Sequence, residues 1–307
     1  MKITNLNSRN QSNAPIVLFV YNRLKHTKQA VEALQKNELA NNSELFIYSD
    51  AAKNKNAQSE VNKVRGYIKK ITGFKTVNIF ERKKNFGLAN SIIDGVTNII
   101  NEYGKVIVLE DDLVTSTYFL RYMNDALTTY SDNKKIWEVG GYVYPLSYKI
   151  KKDFFFAPYT TSWGWATWSD RWKYFDRNPQ KLLSSFNMKK IKQFNLDNST
   201  NLWDQVIKNA NGRMFTWAVF WYATVFLNNG LTIYPKRSMV ENIGHDGSGM
   251  NSGKSNFFDV KLLQKPVKVS LLDTSIDLDI FIEVKKFLKK RSSISIRILN
   301  ILRRLFT

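Results

Sequence analysis

The strongest constraint on this chain is a repeating pattern in its first third: a short apolar run, a polar cluster, then an apolar stripe at helical spacing. Pro15-Ile16-Val17-Leu18-Phe19-Val20-Tyr21 is almost continuously apolar and ends at Asn22-Arg23. Runs of this kind belong to parallel strands buried on both faces. A helical stripe follows through Ala30, Val31 and Leu34. Glu44-Leu45-Phe46-Ile47-Tyr48-Ser49-Asp50 predicts a second strand, and Val61, Val64, Ile68 and Ile71 a second helix. Val77-Asn78-Ile79-Phe80 predicts a third strand, and Asn85-Phe86-Gly87 leads into an amphipathic helix from Ala89 to Ile100. Lys105-Val106-Ile107-Val108-Leu109 then predicts a central strand that runs straight into Glu110-Asp111-Asp112.

This β-α-β-α-β-α-β order implies an α/β fold, a mostly parallel central sheet with helices on both faces. Ligands of such sheets bind outside the carboxyl ends of the strands. Four polar clusters fall at those ends: Asn22-Arg23, Asp50, Arg82 with Asn85, and the acidic triplet. They are expected to converge on one rim. Beyond about residue 135 aromatic residues concentrate, in Trp163-Gly164-Trp165-Ala166-Thr167-Trp168 and from Trp217 to Trp221. Helical patterns surround Trp203 and the segment 217–227, and a strand at Leu231-Thr232-Ile233-Tyr234 leads to a glycine-rich loop around Gly244 to Gly249. No repeat or linker is evident. The expected organisation is a polar, disordered lead at 1–14 without the apolar centre of a signal peptide, one catalytic domain at 15–260, and a C-terminal extension at 261–307 carrying a basic amphipathic helix.

Lys and Arg outnumber Asp and Glu by 46 to 26, a formal net charge of +20, which favours anionic partners. A nucleic-acid-binding protein would gather basic residues and surface aromatics on one platform. Here the basic residues are spread along the chain and densest in the tail, so nucleic acid is not the expected partner. The absence of cysteine removes disulfides, zinc–thiolate sites and thiol nucleophiles, and is compatible with a reducing compartment. No apolar run approaches the roughly 20 residues that span a bilayer. In the tail, Ile294, Ile298, Ile301, Leu302 and Leu305 form an apolar stripe at helical spacing, flanked by Arg291, Arg297, Arg303 and Arg304 and preceded by Lys285, Lys286, Lys289 and Lys290. This composition suits a helix lying on anionic lipid, where each basic residue contributes about 1 kcal/mol. Docking of the stripe onto the protein's own core or onto another subunit is the alternative. The expected location is cytoplasmic, peripheral at the inner face of the plasma membrane.

In the acidic triplet, Glu110 and Asp112 stand at i and i+2 and point to one side of an extended chain. Hard cations such as Mn²⁺ or Mg²⁺ prefer carboxylate oxygens and in phosphate sites take one or two protein carboxylates plus substrate oxygens. A metal held there neutralises charge on a departing diphosphate. A solvated acidic turn is the bland alternative. Together, Phe19-Val20-Tyr21-Asn22-Arg23, Asn85-Phe86-Gly87-Leu88-Ala89 and Val108-Leu109-Glu110-Asp111-Asp112 resemble bacterial family-2-type glycosyltransferases of the GT-A fold. Trp163-Gly164-Trp165 and Trp203-Asp204 are similar to the branch related to N-acetylglucosaminyltransferase I. The resemblance covers roughly residues 15–255. It implies transfer of a hexosyl or N-acetylhexosaminyl group from a nucleotide-sugar donor to a glycan or lipid-linked glycan, with Asp112 as direct metal ligand and Glu110 or Asp111 nearer the ribose. It further implies that Tyr21, Asn22, Arg23 and Asp50 hold the nucleobase and ribose, and that Asn85 and Gly87 line the donor site. Asp204 matches the base of inverting members, although Gln205 stands where those relatives carry a second Asp.

An inverting transfer needs one carboxylate to take the acceptor's proton, and desolvation by Trp203 would make Asp204 a stronger base. A helix N-cap is its alternative role, and Asp170 is the reserve candidate. Trp163 and Trp165 are candidate walls for a sugar, with core packing as the alternative. His245, in the glycine-rich loop beside Asp246, is a candidate contact to metal or phosphate in a closing loop; simple exposure is the alternative. Arg23 and Arg82 are candidates to neutralise donor phosphate, Arg65 reads as solvated surface, and His26 carries no assigned function. A sugar-phosphate nucleotidyltransferase shares the architecture but needs a Gly-rich loop after the first strand, where Tyr21-Asn22-Arg23-Leu24 has none.

Overall fold

A computed structural model describes residues 12–248 and 255–292 of the chain. The alternation read from the sequence forms β1 (Ile16–Val20), α1 (Leu24–Gln35), β2 (Glu44–Ser49), α2 (Gln58–Ile68), β3 (Thr76–Glu81), α3 (Leu88–Tyr103) and β4 (Lys105–Glu110). There follow β5 (Leu113–Thr115), α4 (Phe119–Thr129), β6 (Ile136–Gly140), β7 (Phe154–Ala157), β8 (Trp165–Trp168) and the short α5 (Ser169–Trp172). A helical stretch of α6 (Pro179–Ser185), α7 (Met188–Phe194), α8 (Trp203–Ala210) and α9 (Ala218–Leu227) precedes β9 (Leu231–Pro235), β10 (Val240–Asn242) and α10 (Leu278–Ser292).

Eight strands form one sheet in the order β3-β2-β1-β4-β8-β6-β9-β7. The half β3-β2-β1-β4 is parallel throughout, with Ile16 opposite both Leu45 and Ile107. Beyond β4 the sheet is mixed: β8 runs antiparallel to β4 and β6, β9 parallel to β6, and β7 antiparallel to β9. The expected α/β class with a mostly parallel sheet is therefore present, and its parallel character is concentrated where the first four strands lie. Strand periodicity of two explains their continuous apolar runs. Ile16, Leu18 and Val20 join Val31, Leu34, Val64 and Ile68 on one face, while Val17 and Phe19 join Ala89, Ile92 and Val96 on the other. Each Val, Leu, Ile or Phe side chain among them, taken from water, stabilises the fold by about 1.5–3 kcal/mol.

The aromatic run after residue 160 is a strand, which its composition did not reveal. In β8, Trp165 faces Trp172, Trp217 and Trp221 on the α3 side, and Trp168 faces the opposite core, its Nε1–H donating to the Leu127 carbonyl at 2.9 Å. A third cluster joins α6 to α10 through Phe194, Trp203, Phe220, Tyr222, Ile280, Val284 and Leu288. Asn178 and Asn187 cap α6 and α7 by accepting the N–H of Lys181 and Lys190, each satisfying an orphan donor of a helix start.

The apolar stripe of α10 thus meets the protein itself; Lys285 pairs with Asp197 at 2.8 Å, and the Arg291 guanidinium lies 4.7 Å from the centre of the Phe258 ring. The stripe from Ile294 to Leu305, with Arg297, Arg303 and Arg304, lies outside the described residues. Residues 255–277 cross back over the core: Leu263 and Val267 are buried, Ser116 Oγ donates to the Leu263 carbonyl at 2.5 Å, and Tyr130 donates to the Ser270 carbonyl at 2.8 Å. At the other end, buried Ala14 donates its N–H to Asn124 Oδ1 at 2.7 Å. No helix among the described residues is long and apolar enough to cross a membrane.

Candidate functional site

The chain leaves β1, β2 and β4 on one rim, and a cleft of about 330 Å³ opens there. Tyr21, Asn22 and Arg23 line it from the end of β1, Asp50 and Lys53 from β2, and Glu110, Asp111 and Asp112 from β4. Asn85, Gly87, Trp163, Asn242 and His245 complete the wall. The convergence expected from strand order is therefore present for every cluster except Arg82.

Arg23, at the N-terminus of α1, ties the triplet together: its Nη2 donates to Asp111 Oδ1 and, at 2.8 Å, to Asp112 Oδ2. Burial works against the Arg23 charge, but the two carboxylates outweigh it and hold the guanidinium above its ordinary value. Asp111 is 5% exposed, and its Oδ2 is buried without a hydrogen-bond partner. Burial pushes Asp111 up to about 6 despite the pull of Arg23, and pushes Glu110 well above its usual range with the help of Asp112 and Asp111. Asp111 and Asp112 share a single guanidinium, and a buried orphan oxygen is costly unless something binds it.

Asp50 builds the rim. Its Oδ1 accepts the N–H groups of Ala51 and Phe86, and its Oδ2 accepts Gly87 N–H and Asn85 Nδ2, all at 2.9–3.1 Å. These four bonds use a carboxylate's full acceptor capacity, so Asp50 fixes the 85–87 loop and has little left for a ligand. Gly87 turns that loop into α3 at φ +71°, a backbone state open to glycine at little cost. Arg65, expected on the surface, donates to the carbonyls of Arg82 at 2.8 Å, Asp50 at 3.3 Å and Ser49 at 3.4 Å. It braces the ends of β2 and β3. Arg82 turns away from the cleft: it pairs with Asp94 and stacks over Phe86 and Tyr48 at 4.3 and 5.0 Å.

The loop after β10 covers the triplet. A β-carbon on Gly244 would lie 2.2 Å from Asp112 Oδ2 and 3.1 Å from Arg23 Nη1, so only glycine lets the backbone pass this close. His245 packs edge-on against Trp163 at 5.2 Å and beside Phe258 at 5.7 Å, with Nε2 buried and unpartnered. Its burial lowers its proton affinity, only partly offset by Asp112. Asp246 is held down at about 2 by hydrogen bonds from Ser248, with a further contribution from His26. His26 Nε2 sits 3.1 Å from Asp246 Oδ2 and clamps the loop to α1. Nothing near His26 in the sequence signals this contact, which depends on the two segments meeting in space.

Trp163 is half-buried in the cleft wall. Trp165 is not a wall residue: it is 0% exposed within the tryptophan cluster, because strand alternation turns it into the sheet–helix core. Asp204 stands in the first turn of α8 with 42% of its side chain exposed, paired with Lys208 at 2.6 Å, and it is not part of the cleft wall. Trp203 turns inward, away from the exposed Asp204, to stack on Phe186 at 4.8 Å. Nor does Asp204 cap its helix, which begins after Leu202 without a side-chain cap. Asp170 is paired with Lys134 at 2.6 Å and Arg171 at 2.5 Å, again away from the cleft wall.

No family model and no curated protein matches the sequence. Among solved structures, the chain is similar to a mannosyltransferase from Pyrobaculum calidifontis in complex with GDP-Man and Mn²⁺, at 9% identity over 71% of each chain and a TM-score of 0.41. It is similar to S. aureus TarS at 12% identity over 74% of this chain and 36% of TarS, with a TM-score of 0.38. It is also similar to a UDP-glucose pyrophosphorylase complexed with UDP-glucose, at 10% identity over 75% of this chain and 94% of the other, with a TM-score of 0.37. Likeness at this level carries no chemistry, which rests on the side chains of the cleft.

Proposed function

We propose that the protein is a metal-dependent glycosyltransferase of the GT-A type, which takes a nucleotide-sugar into the rim cleft and transfers the sugar to a hydroxyl of a glycan acceptor. The observation that carries this reading is the meeting of Glu110, Asp111 and Asp112 with Arg23, Gly244 and His245, with Asp111 Oδ2 and His245 Nε2 both buried and unpartnered. The donor set, hard carboxylate oxygens plus one imidazole, suits Mn²⁺ or Mg²⁺. Among the described residues no group of three or more His, Asp or Glu side chains is arranged to hold a metal ion by itself. Asp112 and His245 would hold the ion, and diphosphate oxygens would fill the rest of the shell, the usual arrangement in phosphate sites. When bound, the ion supplies charge neutralisation for the departing diphosphate.

The chain's own residues do the remaining work. Arg23 offers a fixed cation at the mouth of α1, Tyr21 and Asn22 offer polar contacts to nucleobase or ribose, and the 85–87 loop held by Asp50 shapes the opposite wall. Trp163 and His245 shield the reacting end from water. In the transfer, the acceptor oxygen bonds to the anomeric carbon, the bond from that carbon to the diphosphate breaks, and the hydroxyl proton passes to a base. Inversion, surface polysaccharide or glycoconjugate as product, and action beside an anionic membrane belong to this reading, the last supported by the basic tail. Asp204→Asn tests the base: a fall in kcat of about 10²–10⁴ with donor KM unchanged assigns it, and an unchanged kcat removes it.

The direct test is thermal unfolding with a panel of nucleotide-sugars, with and without Mn²⁺. One donor with Mn²⁺ should raise Tm by several degrees, as a ligand at about 100 times its Kd adds about 2.7 kcal/mol, and Asp112→Asn should abolish the metal-dependent part. Absence of stabilisation by every donor refutes the function.

A further inference from the structure

A second, more open cavity of about 850 Å³ lies beside the cleft, lined by residues 143–151, 236–238 and 259–261. An aromatic partition separates the two. Trp163 belongs to the cleft and Tyr144 to the second cavity; Tyr142 contacts both rings, at 4.5 and 5.6 Å, and Phe258 contacts both at 5.5 and 6.3 Å. One segment also runs between them: Ser238, two residues before β10, lines the second cavity, and Asn242, the last residue of β10, lines the cleft.

The second cavity is strongly basic. Lys149, Lys151, Lys236, Arg237 and Lys261 line it against a single carboxylate, Asp259. Lys236 is neutralised by Asp153 at 2.6 Å. Lys149, Lys151, Arg237 and Lys261 make no ion pair among the described residues, and every Asp and Glu of the chain lies within those residues, so no carboxylate side chain elsewhere is left to pair with them. Four unpaired cations against one carboxylate leave three net positive charges around one hollow. Like charges gathered in a concavity repel one another and focus a field that concentrates anions. A phosphate monoester carries about −1.5 to −2 at neutral pH, so one or two phosphate groups match the excess.

We infer that this cavity binds the phosphate-bearing part of the acceptor, with Arg237, Lys261, Lys149 and Lys151 as its counter-charges, and so leads an acceptor hydroxyl past the partition to the donor cleft. The role as acceptor subsite rests on the glycosyltransferase reading; the anion site does not. Inorganic tripolyphosphate is the probe, titrated calorimetrically into the full chain without divalent metal. Arg237→Gln combined with Lys261→Gln should weaken binding tenfold or more, Arg237→Lys combined with Lys261→Arg should retain it, and the donor-induced Tm shift with Mn²⁺ should be the same in both. Tripolyphosphate binding unchanged by the neutral pair overturns the inference. So does a loss confined to vesicles of phosphatidylglycerol with tripolyphosphate binding intact, because the surface is then a membrane contact. If the neutral pair loses tripolyphosphate while no nucleotide-sugar stabilises the wild type, the anion site stands and the donor reading alone falls.

Discussion

Glu138 lies in β6 with no exposed surface. Its Oε2 accepts the indole N–H of Trp221 at 2.6 Å and its Oε1 the backbone N–H of Thr161 at 3.2 Å, and it has no ion-pair partner among the described residues. Burial pushes its carboxyl up to about 8, against the pull of Trp221, Thr161 and Thr232. The folded protein therefore keeps Glu138 as the neutral acid at pH 7, whereas the unfolded chain ionises it near its usual 4.5. The folded state binds the proton more tightly, so this stabilisation is full below about pH 4.5, falls as pH rises, and is gone above about pH 8. At about 1.4 kcal/mol for each tenfold in proton affinity, the loss totals roughly 4–5 kcal/mol. Glu138→Gln removes the titration but sets an amide N–H₂ against one of two buried N–H donors, which costs about 1–3 kcal/mol. The variant should be less stable than the wild type near pH 5 and more stable near pH 9, with the curves crossing between. Chemical denaturation followed by the fluorescence of the tryptophan cluster measures both. A difference between the two proteins that stays constant across that range refutes the claim that Glu138 is held neutral.

Three further outcomes follow from the packing. Gly244→Ala puts a methyl 2.2 Å from Asp112 Oδ2; relieving the overlap moves the carboxylate by about 1 Å, enough for roughly a 100-fold loss of activity, and an undiminished Mn²⁺-dependent Tm shift would count against the placement of Asp112. Asp50→Asn sets a donor against a donor in the 85–87 loop, destabilising the protein by about 1–3 kcal/mol; hydrogen exchange at Phe86 and Gly87 should accelerate, and unchanged protection would contradict the bracing role. Trp165→Ala should destabilise by about 3–5 kcal/mol without changing donor affinity, measured by denaturation and by thermal shift. A variant of full stability with impaired sugar binding would return Trp165 to the site wall.

The parallel half of the fold, and the rim on which the candidate cleft opens, are legible in the sequence. Strands covered on both faces must be apolar at nearly every position, so β1, β2 and β4 stand out as continuous runs, and the polar residues after them mark the rim where Arg23, Asp50 and the acidic triplet gather. Local patterning did not reveal β6 or β8, because Trp165-Ala166-Thr167-Trp168 becomes extended only by docking antiparallel to β4. It also left open what each rim side chain does. Arg23 bridges Asp111 and Asp112, Asp50 fixes a loop 35–37 residues away, Arg82 turns to Asp94, and His26 clamps Asp246. Those pairings are set by the three-dimensional packing alone. They depend on strand register and on which loops meet in space, and neither is written in the spacing of residues along one segment.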